Sequence, residues 1–289
     1  MKQSKRGRQI AFLFLFLLGI FWIIPIVWLI FNSFKYDSDF ITSFANLKGR
    51  WDYLTRMIPR QWTGSNYTEL FVGGENVNTT ANIMKMFQNS FVVSGVVTVF
   101  TVFITSLAAF AYERLNFKGG NKIFWTLMYV SMFPNVVAIL PQFRIANALG
   151  WVNNLNALIW PALSGVFNIF MIRNFMKSIP KALDEAATID GATSFQVYTR
   201  IILPSIAPVM IVVGLFAFNG SWNDYLWPRI VMTDVNNQTL TAGLRLLMGQ
   251  YEQRWAHMIA SCLVSMVPPY LCAQKYFLQG ISVQAGVKG

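Results

Sequence analysis

Six long stretches with few or no charged residues dominate this chain and limit what it can fold into. A membrane-spanning helix needs about 20 mostly apolar residues, and each stretch is close to that length. Only 12% of the 289 residues are charged, against about 25% in an ordinary soluble domain. The composition therefore excludes a soluble globular protein, and the predicted fold class is an all-α integral membrane protein. The six predicted spans are 10–34, 87–112, 123–140, 155–172, 205–228 and 256–276.

The distribution of Lys and Arg predicts how these spans are oriented. Four of the first nine residues are basic, and basic residues concentrate in the cytoplasmic segments of membrane proteins. With segment 1–9 inside, the inner segments are more densely basic than the outer ones, so we predict that both termini are cytoplasmic. The other inner segments are then 113–122, 173–204 and the tail 277–289, and the long outer segments are 35–86 and 229–255.

The outer loop 35–86 is longer than a connection between two spans requires. It combines polar residues and glycines with the aromatic residues Phe44, Trp51, Tyr53 and Trp62. Loops of this length are usually functional or disordered. We expect this one to form a small folded cap.

The inner loop 173–204 contains start and stop signals for two short helices. Pro180 suits the first position of a helix of about ten residues. Gly191 suits a left-handed C-terminal stop for that helix. The residues Thr193–Gln196 match a capping box that starts a second helix, which we expect to end before Pro204. The loop is therefore predicted to form a helix, a sharp corner and another helix on the inner membrane face.

Two interpretations of this corner remain open from the residues alone. It can be a solvated amphipathic connector between two spans. Alternatively, Ala186 and Ala187 offer a small-residue surface suited to close docking, and a rigid corner would transmit force, which a flexible tether would not.

The residues from Glu185 to Pro204 also carry the signature of a known family. Glu185-Ala186-Ala187, three further residues and Gly191, followed by Ile201, Leu203 and Pro204, resemble the EAA motif of ABC importer permeases at every spacing. Other segments are similar to the carbohydrate-uptake branch of that family, and most of all to the six-span permease subunit of maltose and maltodextrin importers. These segments are Phe117–Gly119, Phe133–Pro134, Trp222–Pro228, Thr239–Leu244 and Ala285–Gly289.

The resemblance implies a fold and a docking site. The fold would be the transmembrane domain of a type I ABC importer, with the permease domain at about residues 80–280. The helix around Glu185–Asp190 would be a coupling helix that sits in a groove of a cytoplasmic ATPase. The residues implied in this coupling are Glu185, Ala186, Ala187, Asp190, Gly191, Ile201, Leu203 and Pro204. The tail residues Gly286, Val287, Lys288 and Gly289 would reach between two ATPase subunits.

The resemblance further implies partners and an energy source. The chain would be a permease subunit that moves a carbohydrate, in particular an oligosaccharide, across the bacterial cytoplasmic membrane by alternating access. A second homologous permease would complete the pathway, two cytoplasmic ABC ATPase subunits would bind ATP and Mg, and an extracytoplasmic sugar-binding protein would deliver the substrate. The sequence has no Gly-x-x-x-x-Gly-Lys-Ser/Thr phosphate-binding motif. We therefore expect no enzymatic activity, cofactor or metal in this chain itself.

Trp222, Asn223 and Tyr225 are the candidate residues of a substrate path. Flat aromatic faces with polar edges suit sugar recognition. The same residues also fit an aromatic belt at the outer membrane interface, and both interpretations stay open.

Other function classes make different demands on the chain. A nucleic-acid partner for the net charge of +11 is disfavoured by the hydropathy, and membrane lipid is the expected surrounding.

A secondary carrier usually places ionisable residues inside its spans, whereas Asp224 lies only at an outer end. A transferase acting on lipid-linked sugars needs carboxylates near a metal or phosphate, and the inner loop offers only Asp184, Glu185 and Asp190. Dependence on a partner ATPase distinguishes an importer from both.

Overall fold

The computed structural model describes residues 5–39, 58–72, 83–115, 117–163, 165–244 and 255–286. Within these ranges the regular secondary structure is entirely helical, which confirms the all-α prediction. The helices are α1 (Lys5–Ser33), α2 (Ser65–Val72), α3 (Ile83–Arg114), α4 (Gly120–Ser131), α5 (Asn135–Ala148), α6 (Asn156–Ala162), α7 (Val166–Met176), α8 (Ala182–Ile189), α9 (Ser194–Ser205), α10 (Ala207–Asn223), α11 (Leu226–Val231) and α12 (Trp255–Gly286). One 3-10 turn at Val235–Asn237 follows α11.

Several helices have the length and apolar character of membrane spans. Among the described residues, Ala11–Ser33, Ile83–Arg114 and Asn156–Met176 are long and apolar enough to cross a membrane. Two sharply bent helix pairs, each counted as one span, raise the number to five. Helix α12 contains the segment predicted as the sixth span. The chain is therefore an integral membrane protein, and the count of six spans stays a prediction.

The third predicted span, 123–140, is not one straight helix. Helices α4 and α5 are bent by 99° at the break between them. Pro134 lies there with an extended backbone (φ −60°, ψ 125°). Because a proline has no N–H, it cannot continue the hydrogen bonds of α4. Helix α5 then runs past the predicted end of the span to Ala148, and the turn follows at Gly150 (φ +67°) and Asn153 (φ +62°).

A second bend lies at the start of the fifth predicted span. Helices α9 and α10 are bent by 78° at Ile206. Helix α9 does not end before Pro204, as the sequence predicted, but continues to Ser205. Residues Tyr198–Ile202 form a π-helical turn that ends two residues before Pro204. A π turn is wider than an α turn, so it leaves room for the proline ring that would otherwise clash with the preceding turn.

The chain divides into two compact units, and the larger one comprises Met84–Gly243 with Pro268–Gly289. Helix α3 contributes to two hydrophobic clusters in this unit. Ala109 and Phe110 pack with buried residues of α7, α9 and α10. Val93 and Val97 pack with residues of α5, α6 and α11. Because Val97 and Ala109 are about 18 Å apart along a helix, α3 connects two separate hydrophobic clusters.

The smaller unit comprises Met1–Ile83 with Leu244–Val267. Asn66 at the start of α2 donates Nδ2 hydrogen bonds to the carbonyl oxygens of Ser33 (2.9 Å) and Lys35 (2.8 Å), and these bonds fasten α2 to the end of α1. Trp62 packs edge-on against Phe31, with ring centroids 5.8 Å apart. The predicted cap 35–86 is described only in part, and Phe44, Trp51 and Tyr53 lie outside the described residues, so the cap stays a prediction.

Candidate functional site

The corner after α8 has the geometry that the sequence predicts. Gly191 has φ +84°, a left-handed conformation that side chains with a Cβ rarely adopt. The amide of Asp190 donates to the carbonyl of Ala186 at 3.0 Å, and the amide of Ala192 donates to that of Ala187 at 2.9 Å. These bonds satisfy carbonyls at the helix end. The predicted left-handed stop is confirmed.

The predicted capping box is also confirmed. The amide of Gln196 donates to Thr193 Oγ1 at 3.3 Å, and the amide of Thr193 donates to Gln196 Oε1 at 2.8 Å. The start of α8 differs from the prediction: the helix begins at Ala182, two residues after Pro180, and contains eight residues. Asp184 lies in its first turn, near the positive end of the helix dipole.

The coupling corner, which we define as α8, Asp190–Thr193 and α9, exposes most of the predicted coupling residues. Glu185, Ala186, Asp190, Gly191 and Pro204 are exposed, whereas Ala187, Ile201 and Leu203 are half-buried. Ala187 and Leu203 pack against the cluster formed by α3, α7, α9 and α10. One side of the corner therefore packs on the helices of this cluster, and its other side is exposed.

Sequence reasoning missed three apolar side chains that the corner leaves exposed. Leu183, Ile189 and Phe195 lie at the surface, and the exposed fractions of Ile189 and Phe195 are 85% and 67%. Large exposed apolar side chains grouped on a short segment mark interaction surfaces. The signal was available in the sequence, since these are large apolar residues inside a polar loop.

An arginine at the end of α3 contacts the first helix of the coupling corner, α8. Arg114, the last residue of α3, forms an ion pair with Asp184 of α8, with Nε and Oδ2 2.9 Å apart. Its Nη2 donates to the carbonyl oxygens of Met176 (3.2 Å) and Ile179 (2.8 Å), which precede α8. No sequence pattern predicts this contact, because from the sequence alone Arg114 is only one of the basic residues that flank a span.

The neighbouring residue of α3 makes a second ion pair. Glu113 Oε2 accepts a hydrogen bond from Arg173 Nε of α7 at 3.0 Å. The Nη2 of Arg173 donates to Asn121 Oδ1 of α4 at 2.7 Å, and its guanidinium lies over the Phe124 ring, 4.3 Å from the centroid. Residues 113 and 114 thus connect α3 to α4, α7 and α8.

The three candidate residues of the substrate path are not brought together on one open surface. Trp222 is fully buried, between Phe87 at 5.7 Å and Phe218 at 5.6 Å between ring centroids. Asn223 is exposed and donates from Nδ2 to Asn219 Oδ1 at 2.8 Å, while Tyr225 is half-buried. Trp222 therefore contributes to helix packing in this conformation, and a path role for all three residues stays a prediction.

The remaining predicted site residues are at the C-terminus. Gly286 is the last residue of α12. Val287, Lys288 and Gly289 lie outside the described residues, so their contact with an ATPase stays a prediction. In the described part of the chain, no three His, Cys, Asp or Glu side chains are grouped so that they could hold a metal ion.

The apolar helices and the exposed two-helix corner define a helical membrane protein. Residues 78–279 match the family described as the binding-protein-dependent transport system inner membrane component. The chain belongs to this family of membrane transport subunits, because the match covers more than half of its length.

Relatives and a solved structure agree with this assignment. The chain is 29% identical to the trehalose/maltose transport system permease protein MalG of Thermococcus litoralis, over 99% of each protein. It is 30% identical to the arabinooligosaccharides transport system permease protein AraQ of Bacillus subtilis, over 96% of this chain and 94% of the relative. Its fold is similar to a chain of a bacterial ABC transporter involved in the import of the acidic polysaccharide alginate. That match has a TM-score of 0.73 and 19% identity, and it covers 96% of this chain and 99% of the other.

Proposed function

We propose that this chain is the permease subunit of an ABC importer that moves an oligosaccharide across the cytoplasmic membrane by alternating access. In this proposal a separate ATPase binds ATP and Mg and supplies the energy. The observation that carries the proposal is the coupling corner, a rigid two-helix element that exposes Glu185, Ala186, Ile189 and Phe195.

The corner has the properties that docking on an ATPase requires. Its conformation is fixed by the left-handed Gly191 and by the capping box at Thr193–Gln196. The exposed Ile189 and Phe195 offer apolar area that a partner can bury at about 25 cal/mol per Å². Ala186 adds a small side chain that permits close approach. The other members of the proposed coupling set are Glu185, Ala187, Asp190, Ile201, Leu203 and Pro204.

We propose six spans with both termini in the cytoplasm and the permease domain at about residues 80–280. A second homologous permease forms the other half of the pathway, and two ATPase subunits bind one coupling corner each. The tail Gly286–Gly289 reaches between these ATPase subunits. An extracytoplasmic binding protein delivers the substrate to the outer loops.

The proposed substrate class rests on the relatives, whose names give trehalose/maltose and arabinooligosaccharides. Trp222, Asn223 and Tyr225 are the proposed residues of the substrate path. Asn223 is exposed and makes an amide pair with Asn219, and such amides can exchange their hydrogen bond for sugar hydroxyls.

Reconstitution tests the proposal. The chain is co-expressed with the permease, ATPase and binding protein encoded beside its gene, and the purified complex is placed in liposomes. We expect uptake of one of trehalose, maltose or arabinooligosaccharides that requires internal ATP and the binding protein. A liposome carrying this chain alone serves as the control and is expected to transport nothing. Uptake by the chain alone, without ATPase or ATP, would contradict the proposal and favour a secondary carrier.

A further inference from the structure

We infer that Arg114 is a positioning residue through which movement of α8 is passed to α3 and α7. This inference rests on the proposed function, because it assigns the mechanical link inside the proposed coupling element. The carrying observation is that one guanidinium contacts α8 and the segment 176–179 from the end of α3.

The two arms of the coupling corner are attached to the protein in different ways. Helix α9 is anchored by apolar packing, since Val197, Tyr198 and Ile202 are buried in the cluster with α3, α7 and α10. Helix α8 has no buried residue. Ala187 alone of its residues packs against that cluster, and only from a half-buried position. Helix α8 therefore depends on polar contacts for its position.

The Arg114–Asp184 ion pair is the polar contact that fulfils this requirement. The side chains of Arg114 and Asp184 are 5% and 18% exposed, so solvent screens their attraction less than that of a surface pair. The same guanidinium donates to the carbonyls of Met176 and Ile179. The planar guanidinium can donate to both carbonyls in fixed directions beside the paired carboxylate, whereas a lysine ammonium is a flexible point charge.

The Glu113–Arg173 ion pair fixes the positions of α3, α4 and α7 relative to one another. Arg173 is buried, bonded to Glu113 of α3 and to Asn121 of α4, and stacked on Phe124. A displacement of α8 that moves Arg114 therefore also moves α3. Through the contact of Glu113 with Arg173, the same displacement moves α4 and α7. Discrete packed contacts of this kind transmit a movement because they resist gradual deformation.

The test compares Arg114→Lys with wild type and with Arg144→Lys, the same substitution at an exposed arginine of α5. Each variant is studied in the full importer complex in liposomes. The measurements are the amount of ATPase retained on purification and the number of ATP molecules hydrolysed per sugar transported. We expect Arg114→Lys to retain the ATPase, because Ile189 and Phe195 are unchanged, but to use about tenfold more ATP per sugar, a typical coupling effect. We expect Arg144→Lys to equal wild type.

A double variant separates positioning from simple destabilisation. Arg114→Met combined with Asp184→Leu removes both charges and leaves neither unpaired, so the protein is expected to assemble. Because α8 then lacks its polar link, the double variant should show the same raised ATP cost. Wild-type coupling in Arg114→Lys or in the double variant would overturn the inference. Loss of assembly in both Arg114→Lys and the double variant would also overturn the inference, since Arg114 would then be needed only for folding.

The failure of the proposed function gives a different result. In that case the wild-type chain retains no ATPase and shows no ATP-dependent uptake, whichever residue occupies position 114.

Discussion

Ser106 Oγ of α3 and Tyr198 Oη of α9 lie 2.7 Å apart and are both buried. This hydrogen bond joins α3 to the π turn of α9, which ends two residues before Pro204. The Tyr198 ring also packs against Phe110 at 5.2 Å between centroids. The tyrosine thus contributes both apolar packing and a specific polar contact to the base of the coupling corner.

Tyr198→Phe should lower the free energy of unfolding by about 1 kcal/mol, because it removes one buried hydrogen bond and keeps the ring. The apparent melting temperature of the purified complex measures this change. Tyr129→Phe, at an exposed tyrosine of α4, is the matched control and should have no effect. Equal shifts for the two variants would show that the Ser106 contact contributes nothing to stability.

Gly191→Val should abolish uptake and weaken retention of the ATPase, while the protein still inserts in the membrane. A β-branched residue at φ +84° is strained by about 1–3 kcal/mol, and relief of that strain re-angles α8 against α9. Gly191→Ala should have a milder effect. Membrane abundance, co-purified ATPase and sugar uptake are the measurements.

Gly150→Val is the matched control for that variant. Gly150 also has a positive φ of +67°, and an added Cβ would meet nothing within 4 Å at either glycine. The two substitutions therefore introduce similar backbone strain, but only one lies in the coupling corner. If Gly191→Val keeps full uptake and a stoichiometric ATPase, the corner is a passive connector.

Ile189→Ser should weaken binding of the ATPase by roughly ten- to a hundredfold, since an isoleucine fully buried at an interface contributes about 1.5–3 kcal/mol. The folded chain itself should be unaffected, because this side chain is 85% exposed. Titration of the ATPase onto the permease complex in detergent measures the affinity. Leu149→Ser, at an exposed leucine after α5, is the control. Unchanged affinity for Ile189→Ser would place the docking surface elsewhere.

The proposed topology predicts which positions a membrane-impermeant thiol reagent reaches from outside. In a chain without its two native cysteines, Cys262 and Cys272, a cysteine at Ser65 or Asn237 should be labelled in intact cells. A cysteine at Thr193 should react only after the cells are opened. Labelling of position 193 in sealed cells would reverse the orientation of the corner and remove its access to a cytoplasmic ATPase.

The sequence by itself determined the features that depend on residues close together in the chain. Apolar segments, the left-handed stop at Gly191 and the capping box at Thr193–Gln196 follow from local composition and hydrogen bonding. The family signature from Glu185 to Pro204 is local in the same sense. A break at Phe133–Pro134 could also have been expected, because proline interrupts a helix wherever it lies in its interior.

Only the tertiary structure decided the contacts between residues far apart in the chain. Arg114 and Asp184 are in contact because the fold brings the end of α3 next to the first turn of α8. No rule of sequence spacing relates two residues that are 70 positions apart. Trp222 was a candidate for an open path, yet it is buried between Phe87 and Phe218. Which face of a uniformly apolar helix is buried depends on its neighbours, because such a helix has no polar side to reveal its orientation.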